Sequence, residues 1–569
     1  MFVFRLNRVP RALLVAVLLA GTYATAATQS KKGSNSSATA AADVSRNLRA
    51  ITAAGQLSDL RWPNFPDYKP HLVEFYTAAG YAPAWLRDGQ PTPQALQMIE
   101  IFKQAHLEGL NDEDYDADRW AARLATLNSK PTTADQARFD AAMTVCAMRY
   151  VSDTRIGRIN PQKLKFGFDV DEKKLELAVF LKDKLVSAPD VKPALEAILP
   201  TAAGYARLKT QLARYEELAK QDDGEKLPPP PGLLFPGGPY AGVPRLVKLL
   251  TLVGDMPASA PPPSDPTIYD GAVVEGVKKF QMRHGIEPDG ALDAETIDAM
   301  NVPLSVRVEQ IKLSMERFRW FLNKYPQPPV VVNLPEFRLR ALNDQMRPAL
   351  FMLVDVGDQY DHQTPIFEDS ITYIVFRPYW DVPSDIIKNE IVPSMEDDPS
   401  YLSEFNFEVV TPTGELVSSP PPNATLMAEL KAGRLRVRQK PGPNNALGLV
   451  KIIFPNSFNV YMHDTPVDEA RFSKSRRDQS HGCIHLKRPA EMAAFLLRDK
   501  PEWTLQKVQE AMKSGPDNQT VTLTNPVPIL LVYGTAVVRE DNNIYFFKDI
   551  YGHDATLEAA LAKGYPYPW

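Results

Sequence analysis

The spacing of apolar and polar positions changes along the chain from the period of helices to that of strands. Residues 68–221 carry apolar side chains at helical spacing, for example over Ala134–Asp153 and Ala202–Lys220. A shorter helical segment follows at residues 244–301, and after residue 329 apolar positions follow the period of strands. The pattern predicts two helical regions followed by a mostly β region.

The two helical regions are separated by a spacer. Pro228–Pro231 is a run of four prolines that no helix can cross, so it predicts a stiff extended linker. Beyond it, one predicted helix carries Val273, Val277 and Phe280 on a single face. A last short helix begins after Asp293, a good N-cap residue. These signals predict a small helical module.

The β region has strand signals on both sides of an interruption. Strands are predicted at Val330–Val332, Ala349–Val356, Ile371–Phe376, Leu449–Phe454, Phe458–Met462, Ile529–Val538 and Ile544–Phe547, with a helix near Glu491–Arg498. Between about residues 385 and 440 the sequence is polar and rich in proline. We expect this stretch to be an inserted, lid-like subdomain that lies over the sheet.

The first residues have the pattern of an export signal. Arg5, Arg8 and Arg11 precede a short apolar run that ends near a small-x-small site at Ala24–Ala26. The run is too short for a spanning helix, which needs roughly 20 residues. We therefore predict a cleaved signal peptide at residues 1–26. Its removal changes the formal net charge from −5 to −8, because it holds three arginines and no acid; that charge argues against a nucleic-acid partner.

The predicted fold class is multidomain: an all-α scaffold and a small α module, then a mostly β domain with an inserted subdomain. Residues 27–67 are expected to form a flexible tether, because residues 28–43 are rich in Ser, Ala and Thr. The predicted boundaries place the helical domain at residues 68–227, the small module at 240–301, the β domain at 302–540 and a C-terminal tail packed on the β domain at 541–569.

The candidate chemistry is concentrated around Cys483. The chain has two cysteines and eight histidines, and residues 461–485 hold one of those cysteines and three of those histidines. A thiol needs a base to become a nucleophile at neutral pH, and His463 at the end of a predicted strand is a suitable base. Gly482 permits close approach of a substrate, and the amides of Gly482 and Cys483 are candidate oxyanion donors. This set predicts acyl transfer through a thioester.

Two other interpretations of these residues are open. A cysteine near a histidine can be a packed thiol beside a surface imidazole. Zinc is the second alternative, since His463, His481, Cys483 and His485 could supply four ligands, although their spacing is unusual for a zinc site. The other cysteine, Cys146, lies on an apolar helix face and is predicted to be a buried core thiol.

His463, sixteen intervening residues and then Ser480-His481-Gly482-Cys483 resemble the signature of L,D-transpeptidases with a YkuD-type catalytic domain. The likeness extends to the large multidomain, YcbB-like subgroup of gram-negative bacteria. Segments that resemble that subgroup are Pro378–Pro383, Arg438–Pro443, Asn445–Gly448, Tyr461–Pro466, Gly80–Trp85 and Glu108–Leu110. Residues 240–301 are similar to the peptidoglycan-binding domain type 1 through Val277, Phe280-Gln281, His284-Gly285 and Pro288–Gly290.

The resemblance implies roles for individual residues. Cys483 would be the nucleophile and His463 its base, Ser480 and His481 would support the site, and Gly482 would contribute an oxyanion amide. Tyr461 and Trp380 would line the substrate cleft. His485 stands where the family commonly has arginine or asparagine; if that position helps to hold the substrate's carboxylate, binding here would be weaker or pH-dependent. Arg436, Arg438, Arg476 and Arg477 are candidates to supply the missing cation.

The implied activity is formation of 3-3 cross-links from peptidoglycan tetrapeptide stems, through a cysteinyl thioester and with release of D-alanine. No metal or organic cofactor is implied. The implied setting is the gram-negative periplasm, with roles in peptidoglycan biosynthesis, cell-wall organisation and cell shape, glycan strands bound by residues 240–301, and carbapenems as acylating inhibitors. The alternatives are an L,D-carboxypeptidase, transfer to a lipoprotein lysine, and a non-catalytic wall-binding scaffold. A papain-like enzyme fits less well, because there the cysteine precedes its histidine.

Overall fold

The computed structural model describes residues 27–357, 362–417, 423–466 and 469–567. The predicted signal peptide at residues 1–26 lies outside them. Among the described residues, no helix combines the length and the hydropathy that a membrane crossing requires.

The first region is helical. It contains α1 (Ala27–Ala54), α2 (Lys69–Ala78), α3 (Pro93–Phe102), α4 (Trp120–Asn128), α5 (Thr133–Ile156), α6 (Leu177–Phe180), α7 (Lys192–Glu196) and α8 (Ala203–Ala219), with a hairpin of β1 (Leu86–Arg87) and β2 (Gln90–Pro91). Helix α5 is the central element and begins at a capping box formed by Thr132 and Asp135. Cys146 on α5 is fully buried, which confirms its assignment as a core thiol.

The prediction of a flexible tether over residues 27–67 is wrong. Residues Ala27–Ala54 form helix α1, and its second half packs on α5 with Val44 and Leu48 buried. Leu60 and Phe65, which follow the helix, are also buried. The low-complexity composition of residues 28–43 obscured an apolar stripe that begins at Val44, and burial of that stripe stabilises the helix.

The second region matches the predicted helical module. It contains α9 (Val243–Val253), α10 (Gly271–Arg283) and α11 (Ala294–Met300), followed by α12 (Leu304–Phe318), which packs on α8. Val273, Val277 and Phe280 are buried together, as their spacing predicted. Asp293 caps α11 by accepting a hydrogen bond from the Thr296 amide.

The third region is built on strands. In chain order they are β3 (Val330–Asn333), β4 (Arg338–Leu342), β5 (Pro348–Asp355), β6 (Phe367–Phe376), β7 (Trp380–Asp381), β8 (Phe407–Val410), β9 (Arg436–Gln439), β10 (Val450–Ile453), β11 (Met462–His463), β12 (Ile484–Leu486), β13 (Gln519–Val532), β14 (Ala536–Val538) and β15 (Ile544–Phe546). Eight of them close a barrel in the order β10-β11-β12-β5-β4-β3-β13-β6. The pairs β11/β12 and β3/β13 are parallel and the other barrel pairs are antiparallel.

One predicted barrel strand is much shorter than expected. Residues Phe458–Met462 were predicted to be a strand, but β11 is only Met462–His463. The Asn456 side chain bonds to the carbonyl oxygens of Phe454 and Val460, at 2.6 and 2.7 Å, and so closes a turn before β11. The polar residues Asn456 and Asn459 therefore end the strand pattern that the neighbouring apolar residues suggested.

The insertion is a folded unit. Strands β7, β9 and β8 form a separate sheet, covered by α13 (Ser384–Ile386), α14 (Val392–Asp397), α15 (Tyr401–Glu404) and α16 (Ala424–Lys431). It has its own apolar core, which includes Val392, Met395 and Val437. The remaining helices of the β region are α17 (Glu469–Ser473), α18 (Pro489–Leu496) and α19 (Leu505–Ser514). The predicted fold class, with its inserted subdomain, is confirmed.

The C-terminal tail packs on more than the β domain. It touches that domain where Tyr551 donates to the Gly357 carbonyl at 2.8 Å. However, Ile544 and Phe546 lie in the core of the small helical module, and α20 (His553–Leu561) leads to Tyr565 and Tyr567, whose hydroxyls bond to Asp153 and Asp114 of the helical region. The expectation of a tail packed on the β domain is thus corrected: the tail contacts that domain and also both helical regions.

Candidate active site

The parallel pair β11/β12 brings the predicted catalytic residues together. Met462 pairs with Ile484, and His463 pairs with His485. The Ile484 amide donates to the Tyr461 carbonyl at 3.0 Å, which extends the pairing back toward Cys483. Since alternate strand residues share a face, Tyr461, His463, Cys483 and His485 form one cluster on one face. Ring centroids are 4.5 Å apart for His463 and His485 and 5.6 Å for Tyr461 and His463.

The turn before Cys483 depends on glycine and serine. Gly482 has a φ of +98°, a conformation that other residues rarely adopt. Ser480 Oγ donates to the Cys483 carbonyl at 2.5 Å and accepts from the Gly482 amide at 3.2 Å. Thr364 Oγ1 donates to the Gly482 carbonyl at 2.8 Å. Ser480 therefore stabilises the turn. The Gly482 amide, a predicted oxyanion donor, donates to Ser480 Oγ in this conformation.

The Cys483 thiol is held in its protonated form. Burial raises the pKa of Cys483 to about 11, although the hydrogen bonds from Tyr461 and the charge of Lys451 act in the opposite direction. A thiol with this pKa is almost entirely neutral at neutral pH. An activating base is therefore needed at the moment of attack.

His463 has the properties of that base. Its side chain is 3 % exposed, and Nδ1 lies 2.5 Å from the Asp464 backbone oxygen. Because a carbonyl oxygen only accepts, the proton lies on Nδ1 and Nε2 is left as the acceptor nitrogen. Burial, with the neighbouring His485 and Lys451, keeps the pKa of His463 well below its ordinary value. His463 is therefore a neutral imidazole that can accept a proton.

A row of charged and titratable residues, in register with His463, crosses four neighbouring strands of the barrel. Lys451 on β10 pairs with His463, His463 pairs with His485, and His485 pairs with Asp355 on β5. Asp355 is fully buried, accepts from the Gln479 amide and Arg471 at 2.9 and 2.8 Å, and lies 3.2 Å from His485 Nδ1. Burial opposes its ionisation, but these donors keep the pKa of Asp355 below its usual value.

Comparison with known proteins agrees with this geometry. Residues 328–529 match the family model of the L,D-transpeptidase catalytic domain. This part of the chain is similar to L,D-transpeptidase catalytic domains. Residues 70–212 match the scaffold domain family, and residues 241–300 match the family described as "Putative peptidoglycan binding domain".

A curated relative supports the same family. It is a protein of Haemophilus influenzae named "Putative L,D-transpeptidase", 29 % identical over 231 residues. The matched segment covers 41 % of this chain and 45 % of the relative, so the chain spans about half the length of that relative. The predicted resemblance to a multidomain L,D-transpeptidase is confirmed.

The cation beside His485 is Arg471, which was not predicted from the sequence. Arg471 Nη1 lies 3.5 Å from His485 Nδ1 and pairs with Asp355. The four arginines considered earlier lie elsewhere: Arg436 beside Asp381, Arg438 beside Glu408, Arg476 beside Asp478, and Arg477 on backbone carbonyls. Asp355 had a signal in the sequence, since it is the one acid in the apolar run Ala349–Val356. Arg471 had none.

Two of the predicted site residues, His481 and Trp380, face the insertion or lie in it. His481 Nε2 lies 2.9 Å from Glu390 Oε1 of the insertion, and the His481 ring lies 4.8 Å from that of His362. Trp380 belongs to β7 and packs on Phe407 in the sheet of the insertion, with ring centroids 6.1 Å apart. The structure does not bring either side chain into the cluster around the thiol.

The zinc alternative has no geometric support. His481 is directed to Glu390, away from the face that holds His463, Cys483 and His485. In the ranges that the structure describes, no three His, Cys, Asp or Glu side chains are arranged to hold a metal ion. The cluster instead provides a thiol, a neutral imidazole and a second imidazole paired with a carboxylate, a set suited to nucleophilic acyl transfer.

Proposed function

We propose that this protein is a peptidoglycan L,D-transpeptidase that forms 3-3 cross-links from tetrapeptide stems. The observation that carries the proposal is the pairing of β11 with β12, which places Cys483 and the neutral imidazole of His463 on one face of an L,D-transpeptidase domain. The domain that matches peptidoglycan-binding proteins supports a wall substrate.

The first proposed step forms a thioester. His463 Nε2 accepts the Cys483 proton while Sγ attacks the carbonyl carbon that precedes the terminal D-alanine of the donor stem. The carbon–nitrogen bond then breaks, and the proton passes from His463 to the amine of the departing D-alanine. The Cys483 amide is the proposed donor to the developing oxyanion.

The second proposed step transfers the stem. The side-chain amine of a diaminopimelate residue on a second stem attacks the thioester carbonyl and loses a proton to His463. The carbon–sulfur bond breaks, the new amide is the 3-3 cross-link, and the proton returns to the Cys483 sulfur. No external oxidant, reductant or cofactor enters the balance.

The resting thiol and imidazole are both neutral in this mechanism. Burial opposes a thiolate at Cys483 and an imidazolium at His463. Proton transfer therefore accompanies the attack on the bound donor stem. This arrangement would also limit reaction of the thiol with stray electrophiles.

An L,D-carboxypeptidase, in which water replaces the amine, is the closest alternative. The insertion supports the choice of transfer, because Glu390 contacts the turn that carries Cys483 and closure of the insertion over that turn would exclude water from the thioester. A non-catalytic wall-binding scaffold would leave the thiol–imidazole pair without a role. We further propose export to the periplasm after cleavage of residues 1–26, and acylation of Cys483 by carbapenems.

Intact-mass measurement of the protein with a disaccharide-tetrapeptide tests the proposal. We expect a mass gain equal to the donor minus D-alanine, and loss of that adduct in Cys483→Ala. Cys146→Ala is the matched control: its thiol is buried in α5 and its variant should acylate like the parent. An adduct that persists in Cys483→Ala, or none in a folded parent, would refute the mechanism.

Product analysis separates transfer from hydrolysis. With excess acceptor stem, we expect 3-3 linked dimers together with released D-alanine. If the products are tripeptide and D-alanine without 3-3 dimers, the protein is an L,D-carboxypeptidase instead.

A further inference from the structure

A cleft lies between the peptidoglycan-binding domain and the transpeptidase domain, apart from the Cys483 cluster. Its volume is about 190 Å³. Its walls come from the end of α10 and the loop after it, the turn between β3 and β4, the loop before Cys483, and the segment around β15. Ser475 Oγ joins two of these walls by donating to Glu287 at 3.0 Å.

The lining of the cleft is strongly basic. The cations that line it are Arg338, Arg476, Arg477, Arg539 and Lys548, and the acids are Glu295 and Glu336. This gives a formal charge of five minus two, or +3, in a chain whose net charge is −5. The positive charge at this boundary is therefore a local feature that the composition of the whole chain does not explain.

Carboxylates neutralise the cations of the cleft only in part. Arg476 has its own partner, since it pairs with Asp478 at 2.7 Å. The fully buried carboxylate of Glu336, in contrast, is shared among three guanidinium groups, since Arg340, Arg539 and Arg338 lie 2.6, 2.9 and 3.7 Å from it. This group of one carboxylate and three arginines therefore keeps an excess of positive charge.

Arg477 is a buried cation of the cleft that is held by backbone carbonyls and not by a carboxylate. It is 5 % exposed, and its guanidinium donates to the backbone carbonyls of Val354, Phe337 and Lys474. Among the described residues, no carboxylate forms an ion pair with it. Burial and the nearby Arg338 lower the pKa of Arg477 to about 10. Asp355 and Glu287 oppose this shift through their charges, but neither forms an ion pair with Arg477. An anion bound in the cleft would offset part of the cost of burying this cation.

The cleft also offers an apolar surface. Met282, Ile286, Phe337 and Phe547 line it, and Met282 is 50 % exposed. A ligand that fits this lining has carboxylates next to short apolar side chains. A peptide stem with free carboxylates has that chemistry, and residues 241–300 of the adjoining wall match a peptidoglycan-binding family.

We propose that this cleft binds a carboxylate-bearing peptide stem of a peptidoglycan strand, at a site separate from Cys483; the identity of the ligand rests on the proposed function. The basic loop continues directly into the catalytic turn. Val356 donates to the Arg477 carbonyl at 2.9 Å and accepts from the Ser480 amide at 2.8 Å. A stem held in the cleft is therefore bound to the loop that carries the nucleophile.

Co-sedimentation with purified sacculi tests the cleft, with Cys483→Ala as the background to prevent covalent capture. Lys548→Glu reverses an exposed charge of the lining. We expect binding of intact sacculi to weaken roughly three- to tenfold, as for reversal of a charge at the rim of a binding site. The matched control is Lys563→Glu, an equal change at an exposed lysine of the same C-terminal segment outside the cleft, which should bind as the background does.

A second probe identifies the part of the wall that is bound. Sacculi whose stems have been removed by an amidase should bind Lys548→Glu and the background protein equally. Equal binding of intact sacculi by these two proteins, or an unchanged difference between them on stem-free glycan, would overturn the proposal. If the parent forms no thioester but Lys548→Glu still weakens binding to intact sacculi, the proposed enzymatic function is refuted and the proposed binding site in the cleft is not.

Discussion

At the residue scale, the site is defined by the row Lys451, His463, His485 and Asp355 across neighbouring strands. His485 replaces the arginine or asparagine that the resemblance led us to expect. Asp355 gives its Nδ1 a buried hydrogen-bond partner, and Arg471 brings a permanent cation to the same carboxylate. Lys451, at the other end of the row, acts on the Cys483 thiol through its charge.

The reactivity of free Cys483 should rise steadily with pH. Burial raises its pKa to about 11, so the thiolate fraction should grow about tenfold per pH unit from neutral to about pH 10. The measurement is the rate of iodoacetamide alkylation in a Cys146→Ala background. A plateau near neutral pH would instead indicate a preformed thiolate–imidazolium pair.

At the element scale, the insertion meets the catalytic turn through histidine–carboxylate contacts. Glu390 lies beside His481, and Asp385 Oδ2 is 3.8 Å from His362 Nε2. The His481–Glu390 pair is about half exposed on both sides, so it contributes little to global stability. Its consequence is local, because it positions the insertion over the turn that carries Cys483.

Glu390→Gln should increase hydrolysis relative to transfer. Loss of the charged contact would loosen the insertion and admit water to the thioester. The measurement is the ratio of tripeptide to 3-3 dimer at fixed acceptor concentration. Glu396→Gln is the control, since Glu396 pairs with Lys431 within the insertion. Equal ratios in both variants would mean that the Glu390 contact does not control access of water.

At the scale of the whole molecule, the C-terminal tail joins the domains. Strands β14 and β15 pack into the core of the peptidoglycan-binding module, and Arg317 of α12 pairs with Asp554 of α20 at 2.5 Å. Tyr565 then bonds to Asp153, which also accepts from Tyr115 at 2.7 Å. The last residues of the chain therefore stabilise the first domain.

Tyr565→Phe should destabilise the protein by about 1–3 kcal/mol, because a buried carboxyl group loses a donor. Burial raises the pKa of Asp153 to about 7 from 3.8, and the bonds from Tyr565 and Tyr115 oppose that shift. A raised pKa means that stability from this group is lost as pH rises toward 7. The variant raises this pKa further, so its deficit should be larger above about pH 7 than at about pH 5.

Thermal unfolding at the two pH values measures this deficit. Tyr401→Phe is the control, because no hydrogen bond of the Tyr401 hydroxyl is present among the described residues. If the loss of stability in Tyr565→Phe is the same at both pH values, the Tyr565 hydrogen bond does not affect the titration of Asp153.

The sequence by itself determined the class of fold, the order of the helical and β regions and the insertion, and it predicted Cys483 and the upstream His463 as the candidate catalytic pair. These depend on local signals: apolar period, proline runs, caps and short motifs. It did not reveal the helix at Ala27–Ala54, the short β11, the partners of the C-terminal tail, Asp355 with Arg471, or the basic cleft. Only the tertiary structure decided these, because each depends on strand register or on contacts between residues far apart in the chain, which carry no local pattern.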